Sequence, residues 1–146
     1  MSQVFPFGMS TRVFLPENIV AWISQRFPHE DLSKVHFRLC RRIPFAWLVP
    51  GRNFAGLTLW NRIYLIESCW ISEPFDPTFA ELVLHELVHV AQYRKNPFTF
   101  PVRYLVNHLR YGYDLNPAEI EAREVATRLV RERVEGNVDA QLQGFR

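Results

Sequence analysis

The sequence has few cysteines, and they do not form a pattern that would hold a metal ion. Cys40 and Cys69 are the only two among 146 residues, without a CxxC motif or a metal-ligand spacing between them. We therefore predict two reduced, partly buried thiols in a cytoplasmic protein, with a Cys40–Cys69 disulfide as the alternative.

The chain also lacks a long apolar run, a signal-like N-terminus, internal repeats and a strong net charge. No window approaches the roughly 18 apolar residues of a membrane-spanning helix, and "MSQVFPFGMSTRVF" has no basic region followed by an apolar one. The formal net charge is +2, and the densest basic run, "RLVRERVEG", is interleaved with Glu132 and Glu135. Such a run is typical of a solvated helix face, so we expect no nucleic-acid partner. Because no segment is apolar enough to span a bilayer, we expect no membrane partner either.

The remaining composition indicates one globular domain of α+β class over residues 1–146, with 1–14 and 137–146 peripheral. Apolar periodicity and caps predict helices at 15–27, 76–97, 101–111 and 116–136, and short apolar or alternating runs predict strands at 35–39, 45–49 and 61–67. The sheet is thus small and mainly N-terminal. Alternation over 62–67 predicts a half-buried edge strand, which an extended peptide could join.

The segment "LHELVHVAQ" in the second predicted helix carries a pattern with a definite chemistry. His85 and His89 are four residues apart, so one helix face presents both imidazoles to the same point. Glu86 lies beside them, where it can reach a water on a shared ion. This is the HExxH arrangement of two zinc ligands and a general base.

The same helix is apolar nearly all round, which predicts that it is buried. Burying His85, Glu86 and His89 without partners would cost several kcal/mol, whereas a metal ion and its water would satisfy all three. The alternative is a metal-free domain in which two core histidines bond to backbone carbonyls and Glu86 lies at the surface.

A third zinc ligand must come from further along the chain. The HExxHxxGxxH extension is absent, because Gln92 and Lys95 occupy its last two positions. The remaining candidates are His108, Asp114, Glu119 and Glu121. Helix phase favours Glu119, which falls at the edge of the apolar stripe beside Ala122 and Ala126, whereas Glu121 lies outside it. The alternative role for Glu119 is to complete a capping box with Asn116.

"HELVHVAQ" followed by "NPAEIEA" resembles the small gluzincin-type domains of the bacterial extracellular contractile injection system core family, which carry HELxHxxQ and then Pro-x-Glu-x-x-Ala. "FAGLTLWNRIYL" is similar to the strand before their active helix. The resemblance covers about residues 30 to 130 and implies a zincin-like fold, a zinc ion and Glu119 as third ligand. One position departs from the pattern: Arg123 stands where gluzincins often have an Asp that supports a zinc-bound His. A supporting carboxylate would have to come from elsewhere, Glu121 or Glu81 being the candidates.

These features predict a zinc-dependent peptidase that acts on a peptide or protein substrate. Glu86 would be the general base, and Tyr113 the donor to the oxyanion, with Tyr111 and His108 as alternatives. Tyr113 and Tyr111 could equally be ordinary packing aromatics. We expect Gln92, one turn past His89, to hydrogen-bond near the site. The competing hypothesis is a zinc-binding scaffold or interaction domain with weak or no turnover, motivated by Arg123.

Overall fold

The computed structural model describes residues 10–46, 54–70 and 76–143, with side chains described as far as residue 137. Its strands are β1 (Thr11–Val13), β2 (His36–Cys40), β3 (Gly56–Leu59) and β4 (Arg62–Ile66). Its α-helices are α1 (Glu17–Arg26), α2 (Pro77–Lys95), α3 (Thr99–Tyr111) and α4 (Pro117–Gln143), and short 3-10 turns span Leu32–Lys34 and Glu67–Cys69. The predicted α+β class, a small sheet followed by helices, is confirmed.

The four strands form one mixed sheet in the order β1-β2-β4-β3. β2 and β4 run parallel, with Phe37 opposite Ile63, while β1 and β3 flank them antiparallel. β4 is therefore a central strand, and the prediction of an edge strand at 62–67 is wrong. Its alternation arises because one face is covered, with Ile63 and Leu65 fully buried, while Tyr64 is only partly covered. An incoming peptide cannot pair with a strand that has neighbours on both sides.

Two strands of this sheet differ from the sequence prediction. β3 was not predicted, and β1 falls inside the 1–14 segment that was expected to be peripheral, although Val13 packs against the core. For the strand predicted at 45–49, Phe45 and Ala46 lie in a turn and 3-10 conformation, with Phe45 at φ 59°, and the rest lies outside the described residues. A positive φ is incompatible with a strand.

α2 and α4 begin where the sequence predicts, because their caps are local, whereas α1 and α3, which have no side-chain cap, begin two residues later and two residues earlier than predicted. The Asp76 side chain accepts a hydrogen bond from Phe79 N at 2.9 Å, and Pro77 follows it at the first helical position. Gly112, at φ 76°, ends α3. α4 is longer than predicted: it continues through Gly136 to Gln143, so 137–143 is helical and not a frayed tail.

α2 is the central element of the molecule. It packs against α4, α3, β3 and β4, and its buried residues include Val83, Leu84 and Leu87 as well as Glu86 and His89. The prediction that this helix is buried is confirmed. Its apolar side chains join those of the sheet and of α1 and α4 in one hydrophobic cluster.

Two smaller expectations also have an outcome. Cys40 and Cys69 are both free thiols, and the Cys40 sulfur lies 3.5 Å from the carbonyl oxygen of Leu65. Within the described ranges, no helix combines the length and the apolar character needed to cross a bilayer.

Candidate metal centre

α2 brings the two histidines of the HExxH motif together over one turn. The Nε2 atoms of His85 and His89 are 3.1 Å apart, with the ring planes nearly perpendicular. His89 is buried and His85 is partly exposed. The helical spacing that the sequence analysis used is therefore realised as two nitrogens that face one point.

Glu119 meets these nitrogens from α4. Its Oε2 lies 3.0 Å from His85 Nε2, and its Oε1 lies 3.2 Å from His89 Nε2. The three residues offer one ligand atom each within 4.8 Å of one another. Ala122 and Ala126, both fully buried, allow α4 to approach α2 closely at this level.

The bonding of these atoms fits a cation at their centre. Glu119 Oε2 is buried without a hydrogen-bond partner of good geometry, although His85 Nε2 is near it. Glu119 Oε1 already accepts a hydrogen bond from the Tyr104 hydroxyl at 2.6 Å, so Oε2 is the oxygen left for an ion. Two imidazole nitrogens and a carboxylate oxygen are ligands that zinc takes readily, and an ion would satisfy all three.

Glu119 does not close the helix cap that was its alternative role. Asn116 caps α4 by itself, because its Oδ1 accepts from Ala118 N at 3.1 Å. The Asn116 N–H donates to Tyr113 O and the Glu119 carboxylate is turned towards the histidines. Among the described residues, the other third-ligand candidates, His108, Asp114 and Glu121, lie outside the group of three.

Gln92 fixes the orientation of His89 from behind. Its Nε2 donates to Ala118 O at 3.1 Å and to Glu121 Oε2 at 2.8 Å, both of which can only accept. The amide oxygen must therefore face His89 Nδ1, 2.8 Å away, and this nitrogen carries the proton. The lone pair of neutral His89 is thus on Nε2, the atom that faces Glu119. The prediction that Gln92 hydrogen-bonds near the site is confirmed.

Of the two carboxylates considered as supports for a histidine, Glu121 lies near His89 and Glu81 does not. Glu121 acts through Gln92, whereas Glu81 accepts a hydrogen bond from Thr127 and does not reach the histidines. Arg123 donates to the carbonyl oxygen of Asp114, close to the Asp114 carboxylate as well. Arg123 cannot support a histidine with a carboxylate. Instead, Gln92 contacts His89 and is itself held by the Glu121 carboxylate.

The contact between Glu119 and His89 shifts the pKa values of the two groups in opposite directions. Burial alone would raise the pKa of Glu119, but hydrogen bonds from His85 and His89 lower it far below its ordinary value. Burial lowers the pKa of His89, yet the hydrogen bond and charge of Glu119 outweigh it and raise the pKa to about 9. The buried Glu119 carboxylate therefore favours the protonated form of His89.

Glu86 lies on the sheet side of the site, held by β3. The Thr58 hydroxyl is 2.7 Å from Glu86 Oε2 and 3.0 Å from the Glu86 carbonyl oxygen. Gly56 gives the carboxylate room, because a Cβ there would come within 2.6 Å of Glu86 Oε1. Glu86 is 4% exposed, and this burial raises its pKa. Neither Thr58 nor Gly56 was identified from the sequence.

Two tyrosines stand over the Glu119 carboxylate. Tyr104, which the sequence analysis did not identify, donates to Glu119 from α3, and Tyr113 also hydrogen-bonds to Glu119. Burial and the Glu119 charge raise the pKa of both phenols, so both remain protonated donors. Tyr111 is 44% exposed beside Arg110, and His108 stacks on Tyr104. The structure thus brings Tyr113 to the site but not Tyr111.

The ligand atoms open into two connected spaces. A cavity of about 80 Å³ is lined by His85, His89, Glu119, Thr58 and both tyrosines. A cleft of about 790 Å³ shares His85, Glu86, Gly56 and Tyr113 with it and extends towards Phe79 and Arg123. His85 and Glu86 line both spaces.

Comparison of the chain with protein-family models, with curated proteins and with solved structures found no match.

Proposed function

We propose that this protein is a zinc-dependent peptidase with a zincin-like site of the gluzincin type. The observation that carries the proposal is the convergence of His85 Nε2, His89 Nε2 and a Glu119 oxygen, with Glu86 lining the same cavity. Two imidazoles and one carboxylate form a ligand set of catalytic zinc sites, which leave a fourth position open. The resemblance of "HELVHVAQ" and "NPAEIEA" to a gluzincin-type family points the same way.

The roles of the residues follow from their surroundings. Bound zinc would lower the pKa of a water molecule towards neutrality and polarise a scissile carbonyl. Glu86 Oε2 is held by Thr58, which leaves Oε1 to accept the proton of the attacking water and pass it to the leaving nitrogen. Burial raises the pKa of Glu86, and a base with a pKa closer to neutrality transfers protons more effectively in both directions.

The tyrosines supply hydroxyl donors to the cavity. Tyr113 borders both the small cavity and the cleft, and its hydroxyl, which hydrogen-bonds to Glu119, would exchange that bond for one to an oxyanion that forms between them. Tyr104 contacts only the small cavity and holds Glu119 Oε1, which makes it a positioning residue.

The substrate class follows from the cleft and the sheet edge. β3 is the outer strand on the side of the site, and its Gly56 lines the cleft directly beside Glu86. An extended peptide that paired with this strand would pass its backbone in front of Glu86. β3 therefore replaces residues 62–67 as the strand expected to receive a peptide.

The first experiment measures zinc content and peptide hydrolysis on purified protein and three variants. Glu86→Gln should retain stoichiometric zinc and lose at least about 100-fold in turnover, because the base is removed and the ligands are kept. Glu119→Gln should lose zinc as well as turnover. Glu124→Gln makes the same change on an exposed position of α4 and should match wild type in both measurements.

The outcomes separate the competing hypotheses. Unchanged turnover in Glu86→Gln would exclude the proposed base. Stoichiometric zinc in wild type without cleavage of any peptide in a broad library would favour the zinc-binding scaffold instead. Absence of zinc from freshly purified wild type, even after incubation with zinc, would leave a metal-free domain with core histidines.

A further inference from the structure

The outer face of α3 is apolar and exposed to solvent. Val102, Leu105, Val106 and Leu109, here called the α3 stripe, are 64%, 57%, 53% and 78% exposed. They follow the i, i+3, i+4, i+7 spacing of a helix face that is normally buried. Within α3, which is described throughout, Phe100 is the one buried residue, so this helix presents more apolar surface than it covers.

Aromatic side chains extend the stripe at the start of the helix. Phe98, immediately before α3, is 86% exposed. The indole N–H of Trp60, itself 51% exposed, donates to the Pro97 carbonyl oxygen at 3.2 Å. An exposed Phe and Trp next to an apolar helix face are typical of segments that lie at a membrane–water interface.

The charged residues of α3 have one sign. The sequence has no Asp or Glu between Glu86 and Asp114, and α3 carries Arg103 and Arg110. Arg94, at the end of α2, is already paired with Glu30 and does not contribute to this charge. Arg103 and Arg110 are two helical turns apart, so they flank the stripe on the same side, and both are exposed. The partner that complements this surface is apolar at its centre and anionic at its boundary.

From this combination we infer that α3 docks on the surface of an anionic lipid bilayer. A second copy of the chain fits less well, because α3 has no acidic residue that could pair with the arginines of the other copy, and an antiparallel two-fold contact through the stripe would bring those arginines to the same side. A single exposed helix presents a ridge and not a groove, which a fluid lipid surface can envelop. The sequence analysis expected no membrane partner because it considered spanning segments, and an interfacial helix is a different case.

The inference is independent of the proposed hydrolysis, although it has a consequence for the site. The inner face of α3 carries Phe100 and Tyr104, which line the small cavity. A bilayer against the outer face would therefore lie about one helix diameter, roughly 10 Å, from the candidate metal centre.

The test is sedimentation of the purified full chain with phosphatidylcholine vesicles made with and without phosphatidylserine. Wild type should bind the vesicles with phosphatidylserine at low salt and should release as salt increases. Arg103→Gln combined with Arg110→Gln should weaken this binding about 25-fold, at about fivefold per charge. Leu105→Ser combined with Leu109→Ser should weaken it at least about tenfold, since the apolar contact is removed.

Matched controls place the same changes elsewhere on the surface. Arg128→Gln with Arg131→Gln removes two exposed charges from α4, and Phe14→Ser with Val134→Ser removes two exposed apolar groups. Both control proteins should bind as wild type does. The inference is overturned if wild type fails to bind anionic vesicles at low salt, if neutral vesicles bind equally well, or if stripe variants match their controls. It is also overturned if light scattering shows a wild-type dimer that dissociates in Leu105→Ser with Leu109→Ser.

Discussion

At the scale of single residues, the Gln92 side chain determines which ring nitrogen of His89 carries the proton. Its amide group can face His89 in only one way, because both partners of its Nε2, Ala118 O and the Glu121 carboxylate, are acceptors. The amide oxygen then keeps the proton of His89 on Nδ1. A neutral amide thus does for His89 what a carboxylate does in many zinc sites.

We expect Gln92→Leu to weaken zinc binding by about 10- to 100-fold, which is the usual effect of removing a partner of a zinc-bound histidine. The reason is that His89 would no longer be held in one tautomer and one orientation. The measurement is competition for zinc against a chelating dye. Gln25→Leu, at an exposed position on α1, is the control and should bind zinc as wild type does. Equal affinities for both variants would show that the Gln92 contact does not matter for the metal.

Some residues of the candidate site could be predicted from a local sequence pattern, and others could not because they contact the site from a different element. His85, Glu86 and His89 could be predicted because their spacing lies within one helix, and Glu119 because its phase matches that of two buried alanines. Tyr104 could not be predicted, since it lies on α3 and Glu119 on α4, and only the packing of both helices against α2 brings its hydroxyl to Glu119. A residue that acts across two elements leaves no local pattern in the sequence.

At the scale of elements, the contact between β3 and α2 sets the position of Glu86. Thr58 holds the carboxylate and Gly56 leaves the space it occupies. The close approach depends on a residue without a side chain, because a Cβ at Gly56 would overlap the Glu86 carboxyl group. Gly56 is the first residue of β3, and a glycine in a strand often marks such a close approach.

We expect Gly56→Ala to lower kcat of the proposed hydrolysis by about 100-fold while zinc content stays stoichiometric, because the base is displaced and the ligands are not. Zinc analysis and steady-state kinetics on the same sample provide the measurement. Gly136→Ala is the control: a Cβ there would meet no described atom within 4 Å, and alanine should stabilise α4 by about 1 kcal/mol without changing kcat. A Gly56→Ala protein with wild-type kcat would argue against a fixed position for Glu86.

The element boundaries show why the sheet was harder to predict than the helices. Asp76, Asn116 and Gly112 are local signals, and the helix ends that they predict are found. By contrast, alternation in β4 reports that one face is covered but not how many strands lie beside it, so a central strand was predicted as an edge. Likewise, Gly136 resembles a stop signal, yet the residues after it continue the helix.

At the scale of the whole molecule, the candidate metal centre joins the two longest helices. α2 supplies two ligands and α4 supplies the third, so an ion there would connect the helix next to the sheet with the last element of the chain. An ion that binds only the folded state stabilises that state by mass action, by about 4 kcal/mol at a thousandfold excess over Kd. Chelation of a zinc-loaded sample should therefore lower its Tm.

The protonation of His89 makes the stability of the folded protein depend on pH. In the metal-free folded protein its pKa is raised to about 9, against about 6.5 in the unfolded chain. The contact therefore contributes stability that is fully present below about pH 6.5 and is lost as the pH rises to about 9. Glu119 does not change this window, because its pKa is lowered and its contribution is lost only in acid.

Zinc should remove this dependence between about pH 6.5 and 9, because His89 is then unprotonated in both the zinc-bound folded state and the unfolded chain. The ion must displace the proton from His89, so its affinity should rise up to about tenfold per pH unit and level off above about pH 9. We therefore expect the difference in Tm between zinc-loaded and chelated protein to widen as the pH increases across this range. Thermal melts of both forms at matched pH values provide the measurement. The chelated Glu119→Gln protein is the comparison for the metal-free form, since it lacks the carboxylate that raises the pKa of His89 and its Tm should fall less between about pH 6.5 and 9. A gap that stays constant with pH would show that zinc binding releases no proton from this site.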